Sequence, residues 1–262
     1  MLLDVFWQIR RLPADIHLHF DGRARGPLAG ACFKGGLLEY WSAVSIHPYR
    51  RSDPETVAQD YCRLREMIRN YAPTKTTSGS DPVATQKNIP IISSEWGYSS
   101  AWPGNTDEKQ GQLLARAWLT NVANGISLSI WYDWRDDGLD PKEAEHHFGT
   151  VFNSYHEGRD PVYDPKAAYL AARTLTAFFN GYRFEKRLDA GRTDDYLLVF
   201  RKGSDLRFAA WTTASAAHNV VLPLEAGNYS VSRHTGQDES PVKADQKGAS
   251  ITLTTAPVYI RK

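Results

Sequence analysis

Pro90-Ile91-Ile92-Ser93-Ser94-Glu95-Trp96-Gly97-Tyr98 carries the reading of this chain. Its apolar start is long enough for one buried strand, and it ends on a carboxylate followed by aromatics and a glycine. In parallel sheets the chemistry gathers where the strands end, so a carboxylate there is placed to react. The same Glu95 would also serve as a structural partner, salt-bridged to a neighbouring helix. The flanking segments bear on that choice.

Upstream, Tyr40-Trp41-Ser42-Ala43-Val44-Ser45-Ile46-His47-Pro48-Tyr49 reads as another short strand with a polar, aromatic end. Downstream, Ile126-Ser127-Leu128-Ser129-Ile130-Trp131-Tyr132-Asp133-Trp134 reads as a third. Two helical patterns lie between them. Asp53 and Pro54 are a start signal for the first. Val57, Tyr61, Leu64, Ile68 and Tyr71 then recur at helical spacing. The second runs from about Asp107 to Asn124, with Leu113, Leu114, Ala117, Trp118 and Val122 on one face, and Gly125 stops it. Alternating strands and helices predict a parallel α/β unit with its polar strand ends on one rim.

These pieces resemble the C-terminal half of a clan A retaining glycoside hydrolase, a (β/α)8-barrel enzyme. Ser45-Ile46-His47-Pro48-Tyr49 matches the sixth strand, Ile92-Ser93-Ser94-Glu95-Trp96-Gly97 the seventh, and Ser129-Ile130-Trp131-Tyr132-Asp133-Trp134 the eighth. The resemblance covers roughly Ala29 to the C-terminus. It implies that Glu95 is the nucleophile, that His47 and Tyr49 flank it, and that Trp131 floors the sugar site. Trp96, Asp133 and Asp136 join Trp131 as expected substrate-binding residues.

Retaining hydrolysis needs two carboxylates about 5 Å apart, one as nucleophile and one as acid/base. In this clan the acid/base is a Glu following Asn on the fourth strand, and the chain contains no Asn-Glu pair. The matched pattern starts about where a fifth strand belongs. The expected architecture is therefore α/β: a half TIM barrel of about four β/α units over residues 1–181, then a small all-β sandwich over 182–262. A half barrel leaves an open sheet edge, so a homodimer is expected.

Asp164 and Pro165 read as the start of the last barrel helix, continued by Tyr169, Ala172, Leu175, Thr176 and Phe179 to Asn180-Gly181. Strand-like runs then follow at 196–200, 206–211, 219–224, 229–231 and 250–254, separated by Gly, Asp, Ser and Pro. That spacing suggests the sandwich. Thr74 to Pro82 reads as a surface loop without chemistry.

Apolar residues are 42% and charged residues 23%, as in ordinary globular chains. A net charge of +1 gives no reason to expect nucleic acid or an acidic membrane as partner. No apolar run is long enough to span a bilayer. Cys32 and Cys62 fall on predicted helices and read as small buried residues without ligand spacing. The first residues make a poor signal peptide, since Arg10-Arg11 and Pro13 follow without a small-residue cleavage site. The chain as it stands is expected in the cytoplasm, although full-length relatives would be secreted.

A second enzymatic reading rests on Ala14-Asp15-Ile16-His17-Leu18-His19-Phe20. On a strand His17 and His19 share a face and can bind one metal. The segment resembles the first-strand His-x-His of amidohydrolase-type enzymes, which implies zinc or manganese and an ester, lactone or phosphoester substrate. The alternative is a solvent-facing strand with two ordinary histidines. The glycosidase reading requires no cofactor and a carbohydrate or other small-molecule substrate. A third reading is a catalytically silent remnant that binds carbohydrate. In the 135–149 loop, His146 and His147 are adjacent and face different ways, so they are not expected to share an ion.

Overall fold

The computed structural model describes residues 27–76 and 84–262. Four helices and fifteen strands follow in order along these residues. The first elements are α1 (Pro27–Lys34), β1 (Val44–Ile46), α2 (Val57–Tyr71), β2 (Thr74–Thr76), β3 (Ala84–Gln86), β4 (Ile91–Trp96), α3 (Asp107–Ala123) and β5 (Ser129–Trp131). Two compact units emerge. One holds the described residues up to Trp96 together with Asn124–Trp131; the other holds Gly97–Ala123 and Tyr132–Lys262.

The first unit is built on a parallel sheet in the order β1-β4-β5. Val44, Ser45 and Ile46 stand opposite Ile91, Ile92 and Ser93. Val44, Ile46, Ile91 and Ser93 are all buried, as expected for one face of a period-two element. Helix α2 opens through a 3-10 turn over Pro54–Thr56 and buries Val57, Tyr61, Leu64 and Ile68 at helical spacing. Asp53 precedes the turn but makes no side-chain cap, and Tyr71 is exposed. The segment read as a plain loop from Thr74 begins an antiparallel pair, with Thr74 opposite Gln86. Cys32 and Cys62 do lie on helices, but Cys62 is exposed and Cys32 half-buried. That corrects their assignment to the core.

The second unit begins with α3, which packs along α4 (Ala167–Phe178). The helices meet at Gly111, where a Cβ would stand 2.8 Å from the backbone of Ala167. Only a residue without a side chain permits that approach. Val122 turns out to be exposed, while Ala115 and Leu119 are buried with the predicted Leu113, Leu114 and Ala117. Before α4 come β6 (Val151–Tyr155) and β7 (Tyr163–Pro165), an antiparallel pair. Asp164 and Pro165 thus belong to a strand, and Lys166 takes the N-cap position of α4.

The remaining strands are β8 (Arg183–Leu188), β9 (Asp195–Lys202), β10 (Asp205–Thr212), β11 (His218–Leu222), β12 (Gly227–Arg233), β13 (Asp238–Ala244), β14 (Ala249–Leu253) and β15 (Val258–Arg261). Six form an antiparallel sheet in the order β13-β12-β15-β10-β9-β8, and β11 pairs with β14. β9 and β10 are joined by a two-residue turn whose Gly203 has φ 60°, the backbone such hairpins demand. One buried cluster takes Leu197, Val199, Phe208 and Ile260 from the large sheet and Val220, Leu222, Ile251 and Leu253 from the small one. A second joins Leu119 of α3 and Phe179 to Leu198, Phe200, Trp211 and Tyr259.

Candidate active site

The chemistry of the first unit sits at the ends of β1 and β4. The two strands run parallel and in register, so the residue after Ile46 lies beside the residue after Ser93. His47 and Ser94 are therefore neighbours, and His47 Nε2 stands 3.0 Å from Ser94 Oγ. Ser45, two residues before His47 on the same face, hydrogen-bonds Ser94 through its hydroxyl.

Against β5 the register of β4 slips. Ser93 pairs with Ser129 and Trp96 with Trp131, so three steps on β4 match two on β5. An extra residue of this kind bends the strand and re-aims its side chains. Ser94 and Glu95 would otherwise point to opposite faces, yet both reach His47. Glu95 Oε2 is 3.6 Å from His47 Nδ1. Its other oxygen, Oε1, accepts a 2.9 Å hydrogen bond from the Tyr49 hydroxyl. The Glu95 side chain is 36% exposed and that of His47 13%, so the carboxylate is held by protein on one side and open on the other.

Arg50 secures the segment after Tyr49. Its guanidinium donates to Pro48 O, Thr56 Oγ1 and Asp60 Oδ2, and lies 5.8 Å from the Trp96 ring centroid. Trp96 itself is 2% exposed. It fills the core, which corrects its placement among the substrate-binding residues. Trp131 is half-buried and stands in register with Trp96.

Asp133 and Asp136 belong to the second unit. Asp133 is half-buried and accepts a hydrogen bond from the backbone of Trp134. Asp136 is buried at 3% exposure, with both oxygens on Lys166 Nζ at 3.0 and 3.2 Å and one also accepting from Gly149 N. A carboxylate so enclosed is a structural pin and not an open acceptor for sugar hydroxyls, which corrects that expectation. Burial raises the Asp136 carboxyl above its ordinary value, while Lys166 and Gly149 pull the other way. His147 Nε2 bonds Asp140 O at 2.8 Å, and His146 Nδ1 accepts from Asp140 N.

His17 and His19 lie outside the described residues. Among the described residues no group of three or more His, Cys, Asp or Glu is arranged to hold a metal ion. None of their helices is long and apolar enough to cross a membrane.

Ser45 and Ser94 were missed as site residues. Their signal lay in register, since two parallel strands ending Ser-Ile-His and Ser-Ser-Glu bring His and Ser together if paired in step.

No family model and no curated protein matches the chain. Solved structures do. A family 39 glycoside hydrolase from Bacteroides cellulosilyticus WH2 is similar at 21% identity and a TM-score of 0.69, over 88% of this chain and 46% of that one. The family 30 subfamily 8 xylanase of Clostridium acetobutylicum is similar at 12% identity and a TM-score of 0.52, over 84% of this chain and 48% of that one. A conserved exported protein from Bacteroides fragilis is similar at 12% identity and a TM-score of 0.55, over 84% and 45%. The chain thus shares its fold with glycoside hydrolases of the TIM-barrel type and spans just under half the length of these three chains.

Proposed function

We infer that this chain descends from a glycoside hydrolase and is a hydrolase whose site is built around Glu95. The supporting observation is the carboxylate at the bulged end of β4, bonded by Tyr49 and faced by His47. A retaining glycosidase uses such a group to form a covalent glycosyl intermediate. The Tyr49 hydroxyl orients one oxygen, leaving the charge on the other beside His47. Half-exposed Trp131 on the next strand offers an aromatic face for a sugar ring.

The reaction also needs an acid/base carboxylate. We place it on a second copy of the chain, in a homodimer that joins two half barrels. Among the described residues, β1 and β5 are edge strands of a three-stranded parallel sheet, and such edges recruit further strands.

Aryl glycosides test the reaction. Glu95→Gln is expected to lower their cleavage about 10³-fold or more with the circular dichroism spectrum unchanged. An unaltered rate in Glu95→Gln, or no cleavage by the wild type, would leave the glycosidase features as ancestry alone. Sedimentation at micromolar concentration tests the assembly, with a dimer expected; a folded monomer removes the shared site.

A further inference from the structure

The cluster at the end of β1 and β4 holds a second constellation within it. Ser94 Oγ is 3.0 Å from His47 Nε2, and the opposite ring nitrogen, Nδ1, faces Glu95 Oε2 at 3.6 Å. Serine on one imidazole nitrogen and carboxylate on the other is the arrangement of a nucleophilic triad, recognised by geometry and roles and not by chain order. We propose that Ser94, His47 and Glu95 form a serine nucleophile triad that cleaves small acyl esters.

The direction of the hydrogen bonds follows from charge. An ionised Glu95 carries only acceptors. It therefore favours the imidazole tautomer with its proton on Nδ1, because a bare Nδ1 lone pair would face a negative oxygen. Nε2 is then an acceptor, and the Ser94 hydroxyl must donate to it. Ser45 in turn donates to Ser94 Oγ. Tyr49 donates to Glu95 from the far side. Ser45, Ser94 and Tyr49 thus each donate to an acceptor, and the Ser94 proton points at a base; His47 Nδ1 faces Glu95 Oε2 across 3.6 Å, just outside hydrogen-bond distance, and makes no hydrogen bond there. Removing one proton from such a serine is the task for which a neutral histidine is suited.

The bulge in β4 makes this possible. On a regular strand, adjacent Ser94 and Glu95 would diverge; with one residue extra, both reach the same ring. Ser94, His47 and Glu95 are each half-buried and none is sealed. The 3.6 Å between Nδ1 and the carboxylate is longer than a hydrogen bond, and the triad requires it to shorten when substrate binds, as catalytic hydrogen bonds often do.

The step balances. As Ser94 Oγ attacks the acyl carbon, its proton passes to His47 Nε2. The ester C–O bond breaks, and the departing alcohol takes that proton. Water then attacks the acyl-serine, giving one proton to His47, which returns it to Ser94 as the acid leaves. Glu95 does not change its bonding; it is a positioning residue that holds the tautomer and stabilises the imidazolium.

The proposal shares Glu95 and His47 with the glycosidase reading but not its reaction, so the two fail separately. The full chain is treated with diisopropyl fluorophosphate and the adduct is mapped by mass spectrometry. Fluoride is displaced by Ser94, and a phosphoryl adduct on the peptide carrying Ser94 is expected. It should be absent in Ser94→Ala and form about 10²–10⁴-fold more slowly in His47→Ala. Hydrolysis of para-nitrophenyl acetate should follow the same order. For Glu95, nitrogen NMR of labelled protein should show the Nδ1-protonated form of His47, with that preference lost in Glu95→Gln. An unlabelled Ser94, an adduct only elsewhere, or equal labelling in His47→Ala overturns the triad, whatever happens to aryl glycosides. Labelling of Ser94 without glycoside cleavage supports it and ends the glycosidase reading.

Discussion

Each compact unit holds one conspicuous polar cluster, and the two are opposites. In the second unit, Lys166 has a fully buried side chain and is surrounded by acceptors: Asp136, Asp107 at 3.1 Å, Ser100 and the His147 carbonyl. In the first, Glu95, His47 and Ser94 are only half-buried. The Lys166 cluster ties α3, through Asp107, and the 136–150 loop to the start of α4. Its charges are enclosed and answered, which is how a fold tolerates ions in its interior. The Glu95 cluster is bonded on one side and reachable on the other, which is how a site stays available. A charge in a core and a charge in a site therefore differ in saturation more than in residue type.

The largest effect should come from opening the enclosed cluster. Lys166→Met removes the cation and leaves the Asp136 carboxylate buried without its main partner. Breaking a buried pair in this way costs about 3–5 kcal/mol. Urea denaturation should show that loss in the midpoint. A loss under about 1 kcal/mol would mean that water reaches Asp136 and that the contrast between the clusters is overdrawn.

His234 offers a second probe in the same unit. It is 1% exposed, and neither ring nitrogen has a hydrogen-bond partner. Burial, aided by the neighbouring Arg233 charge, lowers its pKa to about 4 from 6.5. The folded state thus binds a proton less readily than the unfolded state. Stability from this group is complete above pH 6.5 and is lost as pH falls from there toward 4, by roughly 3 kcal/mol at most. His234→Phe should flatten that slope in thermal melts taken between those values. An unchanged slope would show that His234 finds a partner or water that the burial conceals.

The contrast between the clusters also explains what could be read in advance. β1, β4 and α2 were legible because their apolar residues fall at strand or helix periods. Five strands of the β-rich region were legible for the same reason. β8, β13 and β15 were not. β15 lies inside the six-stranded sheet but is only four residues long, too short to show an alternation. β8 and β13 are the two edges of that sheet, and their sequences, Arg183–Leu188 and Asp238–Ala244, are mostly exposed and charged or polar. Edge strands carry such residues, and Pro241 with them, because they must not recruit neighbours. Glu95, His47 and Tyr49 sit at the ends of two strands that local pattern could find, and their side chains lie side by side, but Ser94 needed the register and the bulge, which no local pattern announces. Asp136 was misread because Arg135-Asp136-Asp137-Gly138 looks like a solvated turn. Its partner Lys166 lies thirty residues on, beyond any local reading. Trp96 was misread as a sugar platform because an aromatic next to a strand-end carboxylate fits both a floor and a core.

The smallest effect should fall on the stability of the candidate site, and it decides whether the cluster is a site at all. Glu95→Gln keeps an oxygen that can accept from Tyr49 and removes the charge beside His47. The side chain is 36% exposed, so water already screens its contact with the ring and little Coulomb energy is forfeited. Groups held for chemistry are seldom those that hold a fold, and replacing them is often neutral or stabilising. The urea midpoint of Glu95→Gln should therefore correspond to a change under about 1 kcal/mol, in either direction. Asp136→Asn, measured alongside, should lose clearly more, since it leaves Lys166 buried with Asp107 as its remaining charged partner. If Glu95→Gln proved as costly as Lys166→Met, Glu95 would be a pin like Asp136, and the bulge at the end of β4 would serve packing and not catalysis.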